Sequence, residues 1–180
     1  MADAVVIPGG LYGPSSGMMM YAGDVPERRG ATVHRHTWSG QPRRPPLRPE
    51  VEDWVRGQVT PLLDAIEGRP LLIGKSLGTN AAAIAAERRL PAVWLTPLLH
   101  LPWVVAALDR ATAPFLLVGG TADQSWDSAV ARRLTPHVFE VQDADHGMYV
   151  PGPLTDSIAI LGQMITAIED FLDKINWPTA

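Results

Sequence analysis

The pentapeptide Gly74-Lys75-Ser76-Leu77-Gly78 carries the residue types best suited to covalent chemistry in this chain. It follows the apolar run at 70–73 and precedes the alanine-rich stretch at 81–86, so it reads as a sharp turn between a strand and a buried helix. A serine on such a turn is held in a strained backbone conformation with its hydroxyl projecting above the sheet. Glycines two residues to either side let strand and helix approach closely. A helix that begins at Leu77 aims its N-terminus, and the Leu77 amide, at negative charge developing beside Ser76. Gly-Lys-Ser also ends the phosphate-binding loop, but that motif needs glycine where Arg69 stands. Gly68 is out of register, and residues 70–73 form an apolar strand where the motif needs a loop of bare amides. Nucleotide hydrolysis is set aside on those grounds.

The elements that must position this serine follow from short apolar runs alternating with helix-like segments. That pattern gives a mainly parallel sheet covered by helices on both faces. Six strands are expected, over residues 4–8, 32–38, 70–74, 92–96, 114–119 and 137–141. The second alternates in polarity and is placed at a sheet edge. Helices are expected over 15–28, 49–67, 77–89, 101–110, 125–134 and 154–175, with Pro61 starting, kinking or splitting the second. The proline-rich segment 39–49 reads as a stiff surface loop. Residues 91–108 approach membrane-span length, but Pro91, Thr96, Pro97, His100 and Pro102 interrupt them, and a strand followed by a short helix fits better. At 180 residues and 46% hydrophobic, one compact domain over 1–180 is expected.

With its serine turn in that context, the sequence resembles the α/β-hydrolase family, and the resemblance runs over nearly the whole chain. It implies a three-layer α/β-hydrolase-like sandwich around a six-stranded, mainly parallel sheet, without the two antiparallel strands that open larger members. In the family the nucleophile, acid and histidine follow in that order. The resemblance therefore implies that Gly120-Thr121-Ala122-Asp123 is the acid loop and Asp143-Ala144-Asp145-His146-Gly147 the histidine loop. Ser76, Asp123 and His146 would form a catalytic triad, with Asp127 the second choice for the acid. An alcohol is almost wholly protonated at neutral pH, so Ser76 needs His146 as base, and Asp123 fixes the histidine tautomer and stabilises the imidazolium. The resemblance also puts a second oxyanion donor in the loop Pro8-Gly9-Gly10-Leu11-Tyr12-Gly13, where the amide of Gly10 or Leu11 would join that of Leu77. Relatives often carry His-Gly at the end of this strand. Pro8 is a departure that a main-chain donor tolerates.

Other residues narrow the function further. A net charge of −4 argues against binding to a phosphate backbone, and the absence of cysteine excludes disulfides, thiolate nucleophiles and Cys-ligated zinc. The first residues lack a basic start and break at Pro8-Gly9-Gly10, which reads as a strand and not a signal peptide, so a cytoplasmic location is expected. His34 and His36 share an edge strand without a third ligand, and no metal site is expected. Trp103 and Trp126 follow C-terminal strand ends, where such sheets bind ligands. Larger members of the family that the sequence resembles insert a lid at this point of the chain, and with only residues 97–113 between two strands none is expected here. Leu98 and Trp103 are expected to form a low apolar wall, with Tyr12, Trp126 and Met148 opposite, in a shallow site for short or compact acyl groups. The expected activity is serine-dependent hydrolysis of an ester or thioester of a small-molecule substrate, with no cofactor, nucleic acid or membrane partner. Acyl transfer or cyclisation by the same triad, and ligand binding without turnover, stay open at this point, as does the oligomeric state.

Overall fold

Strand alternation divides the apolar residues between two cores. The computed structural model, which describes residues 2–11, 13–40 and 49–178, has one six-stranded sheet in the order β2-β1-β3-β4-β5-β6, with every neighbouring pair parallel. In chain order the elements are β1 (Asp3–Ile7), α1 (Gly17–Arg28), β2 (Thr32–Arg35), α2 (Glu50–Asp64) and β3 (Leu71–Lys75). A 3₁₀ helix (Ser76–Ala81) then runs into α3 (Ala82–Arg88). β4 (Ala92–Leu95), α4 (Pro102–Asp109), β5 (Phe115–Gly120), α5 (Ser128–Leu134), β6 (Val138–Val141) and α6 (Leu154–Lys174) complete the described chain. Val5, Ile7, Leu72, Trp94 and Leu117 point to one face, where α2, α3, α4 and α5 pack. Ala4, Val6, Ile73, Val93 and Val118 point to the other, covered by α1 and α6. Strands buried on both faces need near-continuous apolar runs, and that is what β1, β3, β4 and β5 supply.

All six expected strands are present and β2 lies at an edge, but β2 ends at Arg35, short of Trp38. His34 pairs with Asp3 (2.8 Å), while His36 stacks edge-on against Trp38, so the two histidines serve different neighbours. Two helix expectations are corrected. Pro61 lies inside α2 and neither starts nor splits it; Pro61 and Gly57 are both exposed, so the Gly57 carbonyl deprived of its helical donor faces water. The helix expected from Leu77 opens instead as 3₁₀. There the Asn80 side-chain amide donates to the Leu77 carbonyl (2.8 Å), a local bond that competes with α-helical pairing. Segment 91–108 forms β4 and α4, and among the described residues no helix is long and apolar enough to cross a membrane. Residues 41–48 of the expected surface loop, and Tyr12, lie outside the described residues.

The glycines around Ser76 are required by close approach. A Cβ on Gly74 would lie 2.5 Å from the Trp94 ring, and one on Gly78 would collide with the Ile7 carbonyl. Gly162, exposed within α6, has nothing within 4 Å of its Cβ position. Gly78→Ala is therefore expected to destabilise by about 1–3 kcal/mol or more through overpacking, whereas Gly162→Ala should stabilise by about 0.4–1 kcal/mol through helix propensity and unfolded-state entropy. At about 2–4 °C per kcal/mol for a chain of this size, thermal melts should separate the two variants on opposite sides of wild type. Similar melting temperatures would remove the close-approach account of Gly78.

Candidate active site

The site lies where the sheet connections change direction. From β1 the chain crosses one face through α1 to β2, then returns over the opposite face through α2 to β3 on the other side of β1. The carboxyl ends of β1 and β3 thus border a crevice that no crossover covers. Ser76 is the first residue after β3 and adopts φ +50°, the left-handed region that costs a non-glycine residue about 1–3 kcal/mol. His146, from the loop after β6, meets it: the Ser76 hydroxyl lies 2.9 Å from His146 Nε2. On the other side of the ring, Nδ1 lies 2.7 Å from Asp123 Oδ2. Asp123 Oδ1 accepts the Ser125 amide (2.8 Å), which leaves Oδ2 for the histidine and sets Nδ1 as the protonated nitrogen.

The carboxylates near this relay have separate duties. Asp127 caps α5 by accepting the Val130 amide (2.9 Å). Asp145 accepts the amides of Gly147 and Tyr149 (2.7 and 3.0 Å) and so shapes the histidine loop. Burial works to raise the pKa of Asp123, whose side chain is 2% exposed, but the bonds from His146 and Ser125 and the charges of His146 and Lys75 outweigh it and hold the carboxyl below its ordinary value. Lys75 is the unexpected member. Its ammonium donates to Thr96 Oγ1 (3.1 Å) and to the His146 carbonyl (3.2 Å), joining the ends of β3 and β4 to the histidine loop. Burial drives its pKa down to about 8 against the pull of Asp123 and Asp145.

The loop after β1 runs beside the serine. A Cβ on Gly9 would lie 3.6 Å from that of Ser76, and the Gly9 carbonyl accepts the Trp38 indole N–H (3.1 Å). Gly10 and Leu11 follow on the wall of a cavity of about 560 Å³ that also contains Ser76, His146 and Met148. Leu77 lies in the first turn of the 3₁₀ helix, whose leading amides have no partner further back in the helix. Three expected wall residues are elsewhere. Leu98, Trp103 and Trp126 belong to the core under α2–α5, on the face opposite the cavity. The Trp103 indole donates to Asn80 Oδ1 (2.9 Å) and that of Trp126 to Glu140 (2.6 Å) as its ring covers Gly119, so both rings are fixed in place.

The cavity instead opens on the α1/α6 face, between Met18 and Met19 of α1 and Leu154, Ile158 and Leu161 of α6. Sequence reading missed these residues, along with Lys75, Trp38 and Asn80. The available signal was an α6 whose apolar residues begin two turns before the sheet needs them.

No family model and no curated protein sequence matches the chain. Solved structures do. Est1E from Butyrivibrio proteoclasticus, with ferulic acid bound, superposes with a TM-score of 0.73 at 12% identity over 97% of this chain and 89% of that one. Alpha/beta hydrolase domain-containing protein 10 from mouse gives 0.65 at 17% identity over 96% and 90%. An α/β serine hydrolase without lid from Xanthomonas campestris gives 0.59 at 16% identity over 99% and 83%. At these identities the likeness is one of architecture, and it is consistent across the three: this chain has the α/β-hydrolase fold.

Proposed function

We propose that the protein is a serine hydrolase that cleaves an ester or thioester of a small acyl substrate through a covalent acyl-enzyme. The observation that carries the reading is the unbroken relay from the strained Ser76 hydroxyl through His146 to a buried Asp123, opening on a cavity. In the first half-reaction Ser76 Oγ bonds to the acyl carbon as its proton passes to His146 Nε2. The resulting oxyanion is held by the Leu77 amide and that of Gly10 or Leu11. Collapse breaks the bond to the leaving alcohol or thiol, which takes the proton from Nε2. Water then attacks the acyl-enzyme, gives a proton to His146, and the acid departs as Ser76 recovers that proton. Asp123, ionised because its pKa is held low, keeps the proton on Nδ1 and stabilises the imidazolium.

Fluorophosphonate labelling and turnover of a nitrophenyl ester test this directly. Ser76→Ala should abolish labelling and lower kcat by about 10³-fold or more with the fold intact. Wild-type protein that neither labels nor turns over esters would remove the proposal.

The acid assignment has its own test. Asp123→Asn should lower kcat by roughly 10⁴ through the wrong histidine tautomer. Asp127→Asn, at a helix cap, should leave kcat near wild type, and Asp145→Asn should fall between. If Asp127→Asn were the more damaging substitution, the acid would be misassigned.

Lys75 predicts a pH signature in stability. Its folded pKa of about 8 lies below the ordinary 10.5, so between those values the unfolded chain binds the proton that the folded protein has lost. Stability of wild type relative to Lys75→Met should therefore be flat below about pH 8 and rise towards pH 10.5, by at most about 3 kcal/mol. Urea melts of both proteins across that range measure the difference. A constant difference would mean that the buried ammonium carries no desolvation burden.

A further inference from the structure

The apolar stripe of α6 is longer than its contact with the sheet. Leu154, Ile158, Leu161, Ile165, Ile168 and Leu172 recur at helical spacing along one line. Exposure falls along it: Leu154 is 64% and Ile158 58% exposed, Leu161 and Ile165 are partly buried, and Ile168 and Leu172 are fully buried. The lower half of the stripe packs on the sheet, whereas Leu154, Ile158 and Leu161 form one wall of the cavity that contains Ser76.

The rest of the cavity has the same character. Met18, Met19 and Met148 are buried beneath it, and Leu11 and Tyr149 stand exposed on its wall. Four of the five large apolar side chains that are exposed among the described residues line this one cavity. Such clustering marks a surface that is covered during function. Apart from Ser76, His146 and the exposed Tyr149 hydroxyl, the polar side chains on the walls are already engaged. The Ser16 hydroxyl donates to the Gly13 carbonyl, Ser157 Oγ accepts the Val150 amide, and the Lys75 ammonium holds Thr96 and the His146 carbonyl. Away from Ser76 and His146 this groove recognises its occupant by apolar contact. Flexible methionines and leucines suit a chain more than a rigid ring.

We propose that this groove holds the acyl chain of the substrate, an unbranched aliphatic chain of medium length lying along the first two turns of α6 with its carbonyl at Ser76. From Leu154 to Leu161 the wall runs about 10 Å at 1.5 Å rise per residue, the length of an extended chain of about eight carbons. A volume of about 560 Å³ accommodates it. This inference rests on the serine-hydrolase reading and replaces the expected preference for short acyl groups, because the acyl wall lies on α1 and α6 and not after β4.

The test is a series of nitrophenyl esters from two-carbon to sixteen-carbon, each kept below its micelle concentration, together with Leu161→Trp and Ile158→Asp. kcat/KM should rise roughly fourfold per fully buried methylene up to about eight carbons and then level or fall. Both substitutions should lower the ratio of eight-carbon to two-carbon kcat/KM by about tenfold or more. Octanoate should bind the Ser76→Ala protein more tightly than acetate in calorimetric titrations. If wild type labels with fluorophosphonate and hydrolyses the two-carbon ester, but its rate is flat or falls with chain length, the groove assignment is overturned and the hydrolase reading stands. If nothing labels and no ester turns over, the hydrolase reading fails. Equal octanoate and acetate binding would then overturn the groove as well.

Discussion

The chain leaves β1 over one face of the sheet and comes back to β3 over the other, so no connection crosses the space above the ends of these two strands. The remaining geometry of the site follows from that opening. The loop after β1 and the turn after β3 must descend into it side by side, and both are crowded. Gly78 abuts the Ile7 carbonyl, Gly74 lies under the Trp94 ring, and Gly9 rests against Ser76. A strand that must reverse into a helix within so little room turns through a left-handed residue, and that residue is Ser76. The strain is local, but the packing of β1, β3 and β4 together sustains it.

The Ser76 hydroxyl fixed at that point meets a histidine from elsewhere in the sheet, and the parallel order brings it there. β5 and β6 run parallel to β3 and end at the same edge of the sheet, so Asp123 and His146 are carried on loops at that edge. Loops alone position side chains poorly, and here each is tied down: Asp145 shapes the histidine loop, Ser125 orients Asp123, and Lys75 holds the His146 carbonyl. Lys75 and Asp123 are opposite charges that share a poorly solvated region. Each lowers the other's cost of burial, and the lysine adds two hydrogen bonds that a hydrophobic residue in its place could not make.

What was legible in the sequence and what was not divides along physical lines. The strands were legible because residues buried on both faces leave long apolar runs, and a parallel sheet follows from their alternation with helices. The edge strand was legible from its alternation, though its end was not. Trp38 reads as one more strand residue, while its indole is drawn to the Gly9 carbonyl. Ser76, Asp123 and His146 could be picked out by local motif and chain order, and the structure places His146 within hydrogen-bond reach of both Ser76 and Asp123. The cavity wall could not be picked out that way. Trp103 and Trp126 do stand after strand ends, but which face of the sheet they cover depends on the crossovers and on their partners Asn80 and Glu140.

α6 shows why a pocket can hide inside an ordinary amphipathic pattern. Along one line of this helix the same residue types do two jobs, closing the core at Ile168 and Leu172 and walling the cavity at Leu154 and Ile158. Periodicity is identical in both halves, since it reports the helix and not what the helix faces. What differs is whether sheet lies beneath. α6 begins beyond the loop that carries His146, so its first turns overhang the strand ends before the helix reaches β6 and α1. An apolar stripe that extends past the end of its sheet is not explained by packing on that sheet. On the serine-hydrolase reading proposed above, its place beside Ser76 makes it a wall for the acyl group.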